Sequence, residues 1–145
     1  MRQSIKGILL GVATVASAEL SFACTGISLT AKDGSYVQAR TIEWAYSGML
    51  KSEYVIIPRG EHLRSFTPDG ADGMRYTARY GVVGLAVQQR EFIAEGINEA
   101  GLSAGLFFFP NFGSYEPFDA AFKERSVCDM QLVEWMLSQC ATIDD

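Results

Sequence analysis

Residues 21–29 read Ser21-Phe22-Ala23-Cys24-Thr25-Gly26-Ile27-Ser28-Leu29, and they join two different kinds of segment. Upstream, Arg2 and Lys6 precede an apolar run from Ile8 to Leu20 broken only by small residues and Glu19, and Ser21 and Ala23 are the third and first residues before Cys24. A basic start, a short apolar centre and small residues before a cut are the grammar of an export signal, and the run is too short to span a membrane. The expectation is a signal peptide at residues 1–23, cleaved before Cys24, and an exported protein, periplasmic or secreted. A lipoprotein signal also ends at cysteine, but it normally carries Leu and a small residue where this chain has Ser21 and Phe22.

Downstream, Thr25 to Leu29 alternates towards a strand, Asp33-Gly34 offers a tight turn, and Tyr36 to Ile42 reads as the returning strand. Asp33 and Gly34 as the two central turn residues set Cys24 opposite Glu43 and Ile27 opposite Arg40. In that register Glu43 shares a face with Cys24. Arg40 and Glu43 are three apart, so both reach Cys24 only where the strand bulges or ends between them.

Further along, Tyr54 to Ile57 reads as a short buried strand ended by Pro58, and Arg59 to Gly73 as a loop carrying the single histidine, His62. That histidine reads as a solvated loop residue, since nothing signals the rest of a triad around it. Tyr76 to Val87 supplies strand residues around Gly81 and Gly84, Glu91 to Ala94 another short strand, and Glu95 to Leu102 a turn between strands. Ser103 to Phe109 is a strand ending in Phe107-Phe108-Phe109-Pro110, an aromatic cluster suited to a core, an acyl-binding wall, or both. Asn111 to Pro117 is a loop, and Val127 to Cys140 an amphipathic helix with Val127, Met130, Val133, Leu137 and Cys140 on one face. Cys128 and Cys140 then lie about 18 Å apart along that helix and cannot bridge each other. Thr142 to Asp145 resembles a capping box, with Asp in the usual Glu or Gln place.

Taken in order, Cys24-Thr25-Gly26-Ile27-Ser28-Leu29, Asp33-Gly34, Ala39-Arg40-Thr41-Ile42-Glu43-Trp44, Ile57-Pro58-Arg59, Gly96-Ile97-Asn98-Glu99-Ala100-Gly101-Leu102 and Ala104-Gly105-Leu106 resemble the choloylglycine hydrolases. That family holds bile salt hydrolases and penicillin V acylases. The resemblance runs from Cys24 to Asp145 and implies an α+β fold, the αββα sandwich of N-terminal nucleophile hydrolases. Family members are typically more than twice this length, so it also implies that residues 24–145 are the N-terminal part of a truncated domain. It implies cleavage of linear amide bonds without a metal or other cofactor, and a homo-oligomer for a full-length chain.

Composition reads as that of a globular chain. Apolar residues make up 48% and charged residues 20% of the 145, which argues against disorder. The formal charge is −5, so the basic footprint that nucleic-acid binding needs is absent and no such partner is expected.

The chemistry centres on Cys24. A free thiol titrates near ~8.5 and needs a base or a cation beside it to become a nucleophile at neutral pH. An N-terminal cysteine supplies the base itself, because an α-amine titrates near ~7.7–8.0. Arg40 can hold the thiolate by its permanent charge, and Glu43 can pair with Arg40 or orient the α-amine. The resemblance carries over Cys24 as nucleophile and Arg40 directly, and Glu43 where many members have Asp. It places Phe107 where the family has Asn or Tyr, contributing a backbone N–H to an oxyanion hole, which Phe also has. A second donor, an Asn side chain, and a later catalytic Arg would lie beyond Asp145. Phe107, Phe108 and Phe109 are the candidate acyl-binding residues. Glycine- or taurine-conjugated bile salts are the favoured substrates, with phenoxyacetyl penicillins and acyl-homoserine lactones as alternatives. The competing readings are an inactive fragment, a lipid-anchored protein with a blocked Cys24 amine, and a cytoplasmic binding domain with Cys24 as an ordinary strand cysteine.

Overall fold

The computed structural model describes residues 24–43, 50–108 and 113–145. The expected signal segment, Trp44, Phe109 and the start of the loop at Asn111 lie outside them. The described elements are β1 (Gly26–Thr30), β2 (Tyr36–Arg40), β3 (Ser52–Ile57), β4 (His62–Phe66), β5 (Asp72–Thr77), β6 (Val82–Val87), β7 (Ile93–Asn98), β8 (Ser103–Gly105) and α1 (Leu132–Gln139). Two 3₁₀ turns, Ala120–Arg125 and Asp129–Gln131, precede α1. The class is α+β.

The backbone of the fold is an antiparallel sheet in the order β3-β6-β7-β8, flanked by the separate hairpins β1-β2 and β4-β5. One face of the sheet is closed by α1. Alternation sends Val55, Ile57 and Val82 to that side, where they meet Ala86, Ile93, Val133 and Leu137 in the buried core. Two glycines paired across the sheet, Gly84 and Gly96, leave room for close packing, Gly96 under the helix and Gly84 beneath Ile93. A β-carbon on Gly96 would stand 2.8 Å from the Val83 carbonyl oxygen and 3.0 Å from Leu137, and one on Gly84 would stand 2.6 Å from Ile93. The opposite face carries Tyr54, Ile56, Val83 and Ile97, which are 83%, 70%, 48% and 50% exposed. Tyr54 to Ile57 is therefore a strand with one buried face, and not the wholly buried strand expected.

The hairpin β1-β2 forms where expected, but with a different register. Thr30 pairs with Tyr36 and Gly26 with Arg40, and the loop runs from Ala31 to Ser35. Ala31 N–H bonds the Ser35 carbonyl at 2.8 Å, Gly34 N–H bonds the Ala31 carbonyl at 3.0 Å, and Gly34 takes a φ of +86°. A longer loop with glycine in the left-handed region replaces the two-residue turn, which slips the pairing by one. A one-residue slip exchanges faces: Arg40 now stands opposite Gly26 and shares its face, where the expected register put it opposite Ile27.

The loop expected from Arg59 to Gly73 instead contains β4 and the start of β5. Tyr76 to Val87 is interrupted: Arg79 and Tyr80 N–H both turn to the Ser138 carbonyl, at 2.8 and 3.2 Å. β7 continues through Glu95 to Asn98, leaving a tighter turn at Glu99–Gly101, and β8 ends at Gly105 rather than at Phe109.

The C-terminal helix is shorter than its apolar pattern suggests, because Cys128 has an extended backbone and donates its N–H to Ser65 Oγ at 2.7 Å. Gln131, fully buried, accepts from Phe66 N–H at 2.8 Å and donates to the Arg64 carbonyl at 2.9 Å, so its amide bonds the outer edge of β4 as a strand would. Asn98 secures the other end of α1. Its side-chain N–H₂ donates to the carbonyls of Leu137 and Cys140 at 2.9 and 2.7 Å, and its Oδ1 accepts from Ala100 and Leu102. At Thr142 the capping geometry forms: Thr142 N–H donates to Asp145 Oδ2 at 2.9 Å, and Thr142 Oγ1 accepts from Asp144 N–H at 3.3 Å.

Candidate active site

Cys24 and Glu43 meet at the open end of the β1-β2 hairpin. The ladder continues past β2, with Thr41 N–H bonding the Thr25 carbonyl at 2.9 Å, and it ends before Glu43. The chain therefore leaves the strand between Arg40 and Glu43. The Cys24 thiol lies 3.9 Å from the Glu43 carbonyl oxygen, towards which it donates. The Glu43 carboxylate is oriented by Thr41: Thr41 Oγ1 accepts from Thr25 N–H at 3.1 Å and donates to Glu43 Oε1 at 3.0 Å.

Arg40 ties this hairpin to the main sheet. Its side chain is 5% exposed and lies at the β7–β8 side of the sheet. Nη1 donates to the Ala94 carbonyl at 3.0 Å and the Leu106 carbonyl at 2.8 Å, and Nε donates to the Thr41 carbonyl at 3.2 Å. A buried guanidinium needs such acceptors, since an uncompensated charge there would be strongly disfavoured. Its nearest carboxylate is Glu95, 3.9 Å away, a charge pairing rather than a hydrogen bond. The Phe107 ring lies against the guanidinium, with its centroid 4.5 Å from Cζ.

Phe107 touches both partners of the hairpin. Its ring fills the space over Gly26 and Gly105, where added β-carbons would come within 2.7 and 3.2 Å of ring atoms. Its backbone N–H has no backbone acceptor among the described residues. Gly26, Arg40, Glu95, Gly105 and Phe107 line a cavity of about 170 Å³ beside the hairpin. Phe108 is 67% exposed, and Phe109 lies outside the described residues.

Thus the candidate residues fall into two groups, Cys24 with Glu43 and Arg40 with Phe107, joined along the hairpin through Thr41, whose carbonyl accepts from Arg40 and whose hydroxyl donates to Glu43. Sequence reasoning missed Thr41 and Glu95. The register would have revealed Thr41, which falls opposite Thr25; Glu95 sits beside the Gly96–Leu102 motif, but only the folded sheet brings it to Arg40.

A larger cleft of about 430 Å³ lies elsewhere, between β3, the β4-β5 hairpin and α1. His62 lines it from a strand, with Nδ1 3.0 Å from Thr77 Oγ1, and none of the candidate catalytic residues does. At its floor the Tyr76 hydroxyl donates to Glu134 at 2.7 Å. Among the described residues no cluster of His, Cys, Asp and Glu is arranged to hold a metal ion, all three cysteines are free thiols, and no helix is long and apolar enough to cross a membrane.

The family model for linear amide C–N hydrolases, choloylglycine hydrolase family, matches residues 24–145. The chain is similar to a bile salt hydrolase/transferase from Clostridium perfringens (strain 13 / Type A), at 25% identity over 124 residues, 84% of this chain. It spans 36% of that relative's length. No solved structure matches the chain. The extent of the family match settles the affiliation: the chain belongs to the choloylglycine hydrolase family of linear amide C–N hydrolases.

Proposed function

We propose that the whole protein is an exported cysteine amidohydrolase of the N-terminal nucleophile type, with Cys24 as its first residue after removal of residues 1–23. The observation that carries this reading is that the family match begins at Cys24, the residue following the signal-like segment. Supporting it, the Cys24 thiol lies beside the Glu43 backbone, and Arg40 pairs with Gly26, two residues along the chain from Cys24.

In this mechanism the freed α-amine of Cys24 takes the thiol proton, and the thiolate attacks the amide carbonyl carbon. Charge collects on the carbonyl oxygen, for which the Phe107 N–H is one donor; further donors come from the remainder of the family domain. The intermediate collapses, the C–N bond breaks, and the leaving amine takes the proton from the α-ammonium. Water then adds to the thioester, the α-amine takes its proton, and the acid is released as the thiol is restored. Arg40 provides a fixed positive charge near the reacting centre, and Thr41 holds the Glu43 carboxylate where it can orient the amine.

Conjugated bile salts are the proposed substrates, on the similarity to the bile salt hydrolase/transferase. Penicillin V and other acyl amides are the alternatives. The exposed apolar face of Tyr54, Ile56, Val83 and Ile97 supports the αββα sandwich, in which a second sheet from the rest of the domain covers it. On that proposal residues 24–145 alone are inactive, or nearly so.

The test is intact mass and N-terminal sequencing of the exported full-length protein, followed by glycine or taurine release from conjugated bile salts. A free Cys24 start, with release abolished by Cys24→Ser, is expected. A retained Met1, an acylated Cys24 amine, or release that survives Cys24→Ser overturns the mechanism.

A further inference from the structure

Resting on that reading, we infer that the Phe107 side chain is a positioning residue for Arg40 and the nucleophile hairpin, and not part of the acyl-binding wall. Its ring is packed on the hairpin side. One side lies against the Arg40 guanidinium at 4.5 Å, and ring atoms fill the space above Gly26 and Gly105. The contact at Gly26 is tight enough that a β-carbon, 2.7 Å from Cζ, would require the ring to move.

This arrangement links two sheets that have no common backbone ladder. The hairpin β1-β2 is a separate sheet from β3-β6-β7-β8. Arg40 reaches across by bonding the carbonyls of Ala94 and Leu106, and the Phe107 ring backs the guanidinium while resting on the strand two residues from Cys24. The same residue carries the candidate oxyanion N–H. Moving the ring therefore moves Arg40 relative to the thiol and shifts the N–H with them. An arginine stacked on a ring and bonded to two carbonyls is fixed in direction as well as charge, which a lysine would not be.

The experiment uses the full-length protein with Phe107→Leu, Gly26→Ala and the double variant. Phe107→Leu keeps the backbone N–H and apolar bulk but removes the ring face. It is expected to lower kcat about tenfold, the range of one partly buried cation–π contact, with KM changed less than about twofold. A raised KM with kcat preserved assigns the ring to the acyl wall and overturns the inference. Two further readouts do not depend on the amidase reading. Alkylation of Cys24 by iodoacetamide at fixed pH should slow about tenfold in Phe107→Leu, and an unchanged rate overturns the inference. Gly26→Ala should lower the unfolding temperature more in the wild-type background than in the Phe107→Leu background, because the shorter side chain leaves room for the added methyl. Strict additivity overturns the packing on which the inference stands. Amide release that survives Cys24→Ser sinks the hydrolase reading while these two readouts still decide the role of Phe107.

Discussion

The half-buried Tyr76 donates its hydroxyl hydrogen to Glu134 at 2.7 Å, and Glu134 is only 2% exposed. Burial pushes the Glu134 carboxyl up to about 7; the Tyr76 hydroxyl and Arg90 pull it down, while Glu91 and Glu61 raise it further. Burial first, and Glu134 second, hold the Tyr76 hydroxyl above the usual tyrosine range.

Between the ordinary glutamate value of about 4.3 and the folded value near 7, the native state keeps a proton that the unfolded chain has lost. Stability conferred by this group is complete below that window and is lost as pH rises through it, by roughly 3–4 kcal/mol. Glu134→Gln should remove this component, so the variant's unfolding temperature should fall less than the wild type's between pH 5 and pH 8. Parallel curves for the two proteins would mean that Glu134 titrates normally.

Asn98 offers a sharper test of what holds the helix to the sheet. Asn98→Ala leaves the Leu137 and Cys140 carbonyls, and the Ala100 and Leu102 N–H groups, without their partner. The expected loss is about 2–4 kcal/mol, read from the urea midpoint. A change below about 1 kcal/mol would indicate that water replaces the side chain.

Gly96→Ala probes the close approach of Leu137. The methyl would meet the Val83 carbonyl at 2.8 Å, a backbone atom that cannot swing aside. Overpacking of this kind costs about 1–3 kcal/mol. Thermal unfolding of the variant measures it, and an unaltered midpoint would show that α1 can shift outward freely.

Thr41→Val separates orientation of Glu43 from folding. The exposed hydroxyl bridges Thr25 N–H and Glu43 Oε1, so its removal should alter stability by less than about 1 kcal/mol. In the full-length enzyme kcat should fall about tenfold and recover in Thr41→Ser, which retains the hydroxyl. Equal activity in all three proteins would remove Thr41 from the site.

How much of this could be read from the chain depends on what holds each element. The first hairpin, Ser52–Ile57 and the helix around Val133 and Leu137 have apolar alternation or helical spacing, and they were legible. The strand His62–Phe66 was not: the one residue it buries fully is Ser65, and it is held by pairing with Asp72–Thr77 and by Gln131 rather than by an apolar stripe. The hairpin register escaped because Asp33-Gly34 fits two loop lengths, and the choice falls to the bonds of Ala31 and Ser35. In the site, Cys24, Arg40, Glu43 and Phe107 could be named from motifs. That Phe107 stacks on Arg40 could not, since it depends on Gly26 and Gly105 coming together from distant segments.

Gln131 has a consequence for association between molecules. Strand β4 pairs with β5 on one side, and on the other its Arg64 carbonyl and Phe66 N–H are taken by a side-chain amide. Those are the groups through which a stray strand would zip onto an open hairpin. A glutamine that cannot propagate a ladder thus seals that rim, and a shorter residue there would unmask a nucleus for intermolecular β-pairing.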